Sequence, residues 1–124
     1  MTKRLAHGER GFTLIELLVV IIILGILLAI AIPSSLSFRT RANKSAAQAN
    51  VRAAIPGMEA YNADHATGYV GINLAKLQGS YDAGIKNVTI RAATNGGYCL
   101  ENTSPGTVTY HKSGPSGDIK LGSC

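Results

Sequence analysis

The stretch "GFTLIELLVVIIILGILLAIAIP", residues 11–33, decides the fold of this chain. Between residues 12 and 32 its only polar side chains are those of Thr13 and Glu16. As a helix that rises ~1.5 Å per residue, this stretch reaches about 31 Å, which matches the hydrocarbon thickness of a bilayer. It therefore predicts a membrane-spanning helix. Glu16 is unexpected there, because a charge at the centre of such a helix costs roughly 2.5–3.5 kcal/mol on insertion scales.

Basic residues precede the apolar stretch, namely Lys3, Arg4 and Arg10. Because cytoplasmic flanks are enriched in Lys and Arg, the N-terminus is predicted to stay in the cytoplasm and the rest of the chain to cross the membrane. Two ordinary explanations compete for such a segment. One is a secretory signal peptide with a small-x-small site at residues 29–31, and the other is a permanent signal anchor. Neither explains Glu16.

The stretch closely resembles the N-terminal signature of type IV prepilins and the related pseudopilins. The similarity combines Gly11 and Phe12, the spacing from Thr13 to Glu16, the unbroken apolar run and the closing Pro33. It implies that Gly11 and Phe12 are processing residues. A membrane prepilin peptidase would cut between them, and the newly exposed Phe12 would be methylated on its nitrogen.

The resemblance also implies four assembly residues, Phe12, Glu16, Gly25 and Pro33. Cleavage would create an α-amino cation at Phe12. In a low-dielectric setting a charge is strongly destabilising unless an opposite charge pairs with it, so this cation is a candidate partner for Glu16. In the resembling family the Glu attracts the amine of a neighbouring subunit. A pair within one chain, one helical turn apart, is the alternative. Gly25 and Pro33 bracket a weak helical segment, which predicts a mild kink in the isolated subunit. Local melting of this segment in a filament is what the resemblance implies.

Residues 34–62 are predicted to continue the helix with two apolar stripes on opposite sides. The small stripe consists of Ala42, Ala46, Ala49, Ala53 and Ala60, and the bulky stripe of Ala47, Val51, Ile55 and Met58. The bulky stripe is expected to pack on a sheet and the small stripe to let neighbouring helices approach. The alternative is that alanine is simply a good helix former. The sequence "IPG" at residues 55–57 predicts a kink or an end of the helix.

The remainder of the chain is rich in Gly, Asn, Thr and Ser and carries short apolar alternations. These alternations are Val88/Ile90/Ala92, Tyr98/Leu100, Val108/Tyr110 and Ile119/Leu121, separated by "NGG", "TSPG" and "GPSG". They predict an antiparallel sheet of three or four strands. Residues 64–86 are predicted to form a loop with a short helix around residues 72–77. The fold class is therefore α+β, a long helix packed on a small antiparallel sheet, and the resemblance implies the ladle-like fold of pilins.

Two cysteines, Cys99 and Cys124, allow one intramolecular pairing. Because a chain sent across a membrane reaches an oxidising compartment, a disulfide is predicted rather than a metal pair or a redox dithiol. Closing this loop contributes about 3–4 kcal/mol on the chain-entropy estimate. For so small a core, that is a large share of the total stability.

The composition favours no catalytic function. The formal net charge is +5, and a chain without residues 1–11 carries a milder positive charge, which does not by itself argue for nucleic acid. The sequence contains no CxxC or HExxH pattern, nucleophile motif or phosphate-binding glycine loop. It therefore predicts no enzyme, no cofactor and no metal site.

The predicted domains are a leader at 1–11, a membrane-spanning or filament-core helix at 12–33, an amphipathic helical half at 34–62, and a loop and sheet with the disulfide region at 63–124. The resemblance implies a structural subunit that polymerises into a type IV pilus for adhesion, twitching motility or DNA uptake. Its implied partners are other pilin subunits, the prepilin peptidase and the pilus assembly machinery. The chain would lie in the inner membrane before assembly and in an extracellular filament afterwards.

Three alternatives remain at this point. The first is a pseudopilin of a type II secretion system, although many of these carry acidic calcium-binding loops where this chain has only Asp118 after Glu101. The second is a minor or competence pilin with a DNA-binding surface, which Lys112 and Lys120 permit. The third is a secreted domain that ordinary signal peptidase releases.

Overall fold

The computed structural model describes residues 11–124, so residues 1–10, which hold most of the predicted leader, lie outside the described residues. The chain divides into two compact units, of which the first ends at Phe38 and the second is Arg39–Cys124. Helix α1, Leu14–Asp64, contributes to both units. In the first unit, α1 is the regular element, and it runs through Gly25 and Pro33 without a break.

The second unit adds a short helix and four strands to the later part of α1. In chain order these are α2 (Leu74–Ser80), β1 (Val88–Ala93), β2 (Tyr98–Asn102), β3 (Tyr110–Gly114) and β4 (Ile119–Leu121). The strands form one sheet in the order β1-β2-β3-β4, and every neighbouring pair is antiparallel. The predicted α+β class and the small antiparallel sheet are therefore confirmed.

The core of the second unit lies between α1 and one face of the sheet. Helix α1 buries the side chains of Ala47, Val51 and Met58, three members of the predicted bulky stripe, whereas Ile55 is only half-buried. The other elements contribute Leu77 and the fully buried Leu100, among others. Burial of a large apolar side chain is worth about 1.5–3 kcal/mol, so this contact is the main reason that helix and sheet stay together.

The sequence "IPG" was predicted to kink or end the helix, and the second of these alternatives is wrong, because α1 continues to Asp64. A proline inside a helix costs about 3 kcal/mol. The neighbouring Gly57 offsets this cost, since it lets the core approach the helix backbone. A Cβ atom at Gly57 would lie 2.9 Å from Ile85 Cδ1 and 3.3 Å from Leu77 Cδ2. Tertiary packing at Gly57 therefore outweighs the local preference of Pro56.

Two other predicted boundaries shift. Helix α2 begins later than predicted because Asn73 caps it, with its side chain accepting a 2.9 Å hydrogen bond from the Lys76 N–H. The third strand begins at Tyr110 and not at Val108. Asn102 explains this boundary, since its side chain donates to Val108 O at 2.8 Å and accepts from the Tyr110 N–H at 2.5 Å. These bonds hold the preceding loop in a turn that cannot join the ladder.

Candidate assembly surface

The first unit exposes an almost continuous apolar surface. Its large apolar side chains up to Ile32 range from 46% exposed at Leu18 to 84% at Leu14. Helix α1 is long and apolar enough to cross a membrane, by length and composition. A soluble monomer rarely exposes so large an apolar patch, so this surface requires lipid or other apolar helices around it.

Glu16 lies in a capping box at the start of α1. The Thr13 N–H donates to Glu16 Oε2 at 2.9 Å, and the Glu16 N–H donates to Thr13 Oγ1 at 3.3 Å. Thr13 is the N-cap and Glu16 is the third helical residue, which is the spacing that such a box requires. Within residues 11–124 the carboxylate thus accepts from a neutral partner, the Thr13 N–H, and forms no ion pair. The sequence analysis noted this spacing and missed the cap.

The other predicted assembly residues also lie on exposed parts of α1. Phe12 is 82% exposed, and Pro33 is exposed as well. A Cβ atom at Gly25 would meet nothing within 4 Å, so packing inside the subunit does not explain a glycine at this position. The small stripe is exposed from Ala42 to Ala53, on the side of α1 away from the buried core. These positions are therefore free to contact another chain.

A polar cluster joins α1 to the sheet within the second unit. Tyr69 Oη donates to Glu59 Oε2 at 2.9 Å, and Tyr98 Oη donates to Glu59 Oε1 at 3.4 Å. The two tyrosine rings meet edge to face, with centroids 4.7 Å apart. Burial and the bond to Glu59 raise the pKa of Tyr69 to about 12, and burial also raises the pKa of Tyr98. This cluster therefore joins α1 to β2 through hydrogen bonds and ring packing.

The predicted disulfide between Cys99 and Cys124 is confirmed, with the two Cα atoms 6.0 Å apart. Cys99 lies on β2, and its side chain projects from the face opposite Leu100, because strand residues alternate. The bond therefore joins residues 122–124, here called the 122–124 segment, to the face of the sheet that does not contact α1.

Glu101 lies beneath the 122–124 segment and is only 5% exposed. Its Oε2 accepts from the Cys124 N–H at 3.0 Å, and its Oε1 accepts from Arg91 Nε at 2.5 Å. Arg91 is the extra residue of a β-bulge between Ile90 and Ala92, and a bulge can redirect a side chain in this way. Sequence reasoning missed this site. The available signal was that Glu101 stands two residues after Cys99 and so shares its face of β2.

Acid is expected to weaken this site. The hydrogen bond from the Cys124 N–H, and then the one from Arg91, lower the pKa of Glu101 from its ordinary value of 4.5, with His111 adding a smaller effect. A group with a lowered pKa in the folded state stabilises the fold above its unfolded pKa, and this stabilisation is lost as pH falls through the folded pKa. We therefore expect the free energy of unfolding to fall with pH below about 4.5, and to fall less steeply in Glu101→Gln. Urea unfolding at a series of pH values measures both slopes, and equal slopes would contradict the assignment.

Lys112 does not support the DNA-binding alternative. It is only 7% exposed, and its ammonium group donates to the backbone carbonyls of Pro115 and Gly117. It therefore holds the turn between β3 and β4 from within. Of the two lysines that permitted a DNA-binding surface, Lys120 alone is exposed. Within residues 11–124 no group of three or more His, Cys, Asp or Glu side chains lies close enough to hold a metal ion.

Comparison with known proteins gives a consistent result. The family model for the prokaryotic N-terminal methylation motif matches residues 7–32. The chain is 36% identical over 107 residues to the type IV wide pilus major component PilA4 of Thermus thermophilus, which covers 84% of this chain and 81% of that protein. No solved structure matches the chain significantly.

Other relatives match over shorter stretches. The type IV major pilin protein PilA of Myxococcus xanthus is 49% identical over 51 residues, which is 41% of this chain and 23% of that protein. The type II secretion system core protein G of Pseudomonas aeruginosa is 37% identical over 57 residues, which is 46% of this chain and 40% of that protein. The Thermus similarity extends well beyond the apolar stretch and into the second unit. This chain therefore belongs to the type IV pilin family.

Proposed function

We propose that this chain is a structural subunit that polymerises into a type IV pilus and carries no catalytic activity of its own. The observation that carries the proposal is the exposed apolar surface of residues 12–32, in which Glu16 is the single carboxylate. Lipid and a bundle of identical helices are both apolar surroundings. The transfer of α1 from one to the other therefore changes the hydrophobic free energy little, and this permits a reversible polymer.

Processing at Gly11 and Phe12 would supply a cationic partner for Glu16. Cleavage would leave an α-amino cation at Phe12, next to the Thr13 cap that already holds the Glu16 carboxylate. An unpaired charge in an apolar filament core is strongly destabilising. Subunits are therefore expected to assemble in positions where the Phe12 amine and the Glu16 carboxylate form an ion pair. The membrane would hold the subunit before assembly, with the prepilin peptidase and the assembly machinery as further partners.

The second unit would form the outside of the filament. The exposed small stripe, Ala42 to Ala53, gives neighbouring helices a surface for close approach, and the disulfide region would face outward. Adhesion, twitching motility and DNA uptake would then depend on the filament surface and on the machinery that extends and retracts the filament.

The proposal is tested on the mature protein. Mass spectrometry of purified chains is expected to show N-methylated Phe12 as the first residue, and electron microscopy of sheared surface material is expected to show filaments that contain the chain. A mature protein that begins at Ile32, after the small-x-small site, would instead identify an ordinary secreted domain. Deletion of the prepilin peptidase is expected to abolish both the methylation and the filaments.

A pseudopilin of a type II secretion system is the second candidate, because two core protein G relatives match 46% and 50% of the chain. The match to the Thermus pilus component favours the pilus, since it covers 84% of this chain and 81% of that protein. Deletion strains separate the two functions. Loss of surface filaments with normal export of secreted enzymes supports the pilus, and the reverse supports the secretion system.

A further inference from the structure

The 122–124 segment is held to the sheet by hydrogen bonds as well as by the disulfide. The Gly122 N–H donates to Thr109 O at 2.9 Å, and His111 Nδ1 bonds to Gly122 O at 2.9 Å. The Cys124 N–H donates to Glu101 Oε2 at 3.0 Å. None of these contacts uses a sulfur atom, so each is chemically able to form while the cysteines are reduced.

Glu101 is placed to act on the position of Cys124. It stands two residues after Cys99 on β2, so the two side chains project from the same face of the strand. This face therefore presents the Cys99 sulfur and, beside it, the carboxylate that accepts the Cys124 N–H. Arg91 fixes the other carboxylate oxygen at 2.5 Å and is itself 59% exposed. A buried carboxylate that accepts a backbone N–H makes a charge-assisted hydrogen bond, which is stronger than a neutral one.

We propose that Glu101 is a positioning residue for disulfide formation: together with Arg91 it holds Cys124 over Cys99 while both cysteines are still reduced. The 122–124 segment then docks first and the covalent bond follows. This inference goes beyond the proposed function and holds whether or not the chain polymerises.

The chemical step is thiol–disulfide exchange with a small disulfide such as oxidised glutathione. One cysteine thiolate attacks glutathione disulfide and releases one glutathione thiolate, which takes up a proton. The second cysteine thiolate then displaces the other glutathione, and the Cys99–Cys124 bond forms. Each cysteine sulfur loses one electron and its proton, and one glutathione disulfide becomes two thiols. Glu101 takes no part in these transfers and acts only on the distance between the two sulfurs.

The test is the redox equilibrium of the full chain in detergent micelles, in glutathione buffers of defined composition. Glu101→Gln keeps the size of the side chain and removes the charge that holds the Cys124 N–H and Arg91. We expect its effective cysteine concentration to fall about tenfold, because a hydrogen bond to a charged group is replaced by a neutral one. Asp118→Asn is the matched control, since Asp118 is an exposed carboxylate in the turn between β3 and β4. A fall in Glu101→Gln that equals the change in Asp118→Asn would overturn the proposal.

A second measurement needs no variant. Because the chain has two cysteines, labelling with ¹⁵N-cysteine gives two backbone amide signals, those of Cys99 and Cys124. We expect the Cys124 amide to exchange slowly with solvent in the oxidised chain and to stay protected after reduction with dithiothreitol. If it exchanges as fast as an unstructured amide after reduction, the segment docks only through the disulfide and the proposal is wrong. This readout decides the matter even if Glu101→Gln does not fold when reduced.

Discussion

Replacing Glu16 by Gln is expected to reduce filament assembly at least tenfold while leaving leader cleavage and membrane insertion unchanged. Glutamine has the shape and the acceptor oxygen that the capping box with Thr13 needs, so the start of α1 should stay folded. It lacks the charge that would meet the amine of Phe12. Removing one partner of an ion pair in an apolar setting costs about 3–5 kcal/mol, and tenfold corresponds to 1.4 kcal/mol. Quantifying sheared filaments against total chain in the membrane gives the ratio.

Two further variants separate the charge from the cap. Glu16→Ala removes both, so it should assemble no better than Glu16→Gln. Thr13→Val removes the hydroxyl that accepts from the Glu16 N–H and keeps the carboxylate, so it should lose only the stability of a cap, about 1 kcal/mol. If Glu16→Gln assembles like the unmodified chain and Glu16→Ala does not, the role of Glu16 is the helix start, and the ion-pair explanation fails.

Local patterns predicted most of the regular elements. The alternation of Tyr98 and Leu100 placed β2 correctly because one face of that strand packs on the core, which makes the period of two visible in the sequence. The apolar run likewise predicted the first part of α1. These features depend on neighbours in the chain, and the sequence shows such neighbours directly.

Features that depend on distant residues were missed. Pro56 lies inside α1 because Ile85 and Leu77, far along the chain, pack against Gly57. Glu101 is buried because the 122–124 segment folds back over β2, and no local pattern distinguishes it from a solvated strand residue. Lys112 is buried because its ammonium group bonds to the turn between β3 and β4, and this turn requires the two strands to pair. Nonlocal contacts thus decide where the polar residues of the second unit lie.

The candidate assembly residues stand between these two cases. The resemblance of residues 11–33 to prepilins identified Phe12 and Glu16. The structure adds the Thr13 cap, which the sequence spacing from Thr13 to Glu16 was already sufficient to predict. The proposed cation for Glu16 is created by cleavage, so no pattern of side chains in the uncleaved sequence could predict it.

The second large effect is expected at Gly114, where substitution by Ala should lower the free energy of unfolding by about 3 kcal/mol. Gly114 on β3 is the cross-strand partner of Tyr98, whose ring lies over it. A Cβ atom at Gly114 would lie 2.1 Å from Tyr98 Cζ and 2.2 Å from Tyr98 Cε1, so the ring must move. It cannot move freely, because Tyr69 packs against it and its hydroxyl donates to Glu59. Urea unfolding of the full chain in detergent, followed by circular dichroism, measures the change.

Gly96→Ala is the matched control for this prediction. It adds the same methyl group in the turn between β1 and β2, where a Cβ atom would meet nothing within 4 Å, so the free energy of unfolding should change by less than about 0.5 kcal/mol. The cause is tested by repeating Gly114→Ala in a Tyr98→Ala background, where the ring is absent. If the collision is the reason, the cost of the added methyl should largely disappear there, and the two changes will be strongly coupled. Equal costs in both backgrounds would mean that Gly114 is needed for the conformation of β3 and not for the ring of Tyr98.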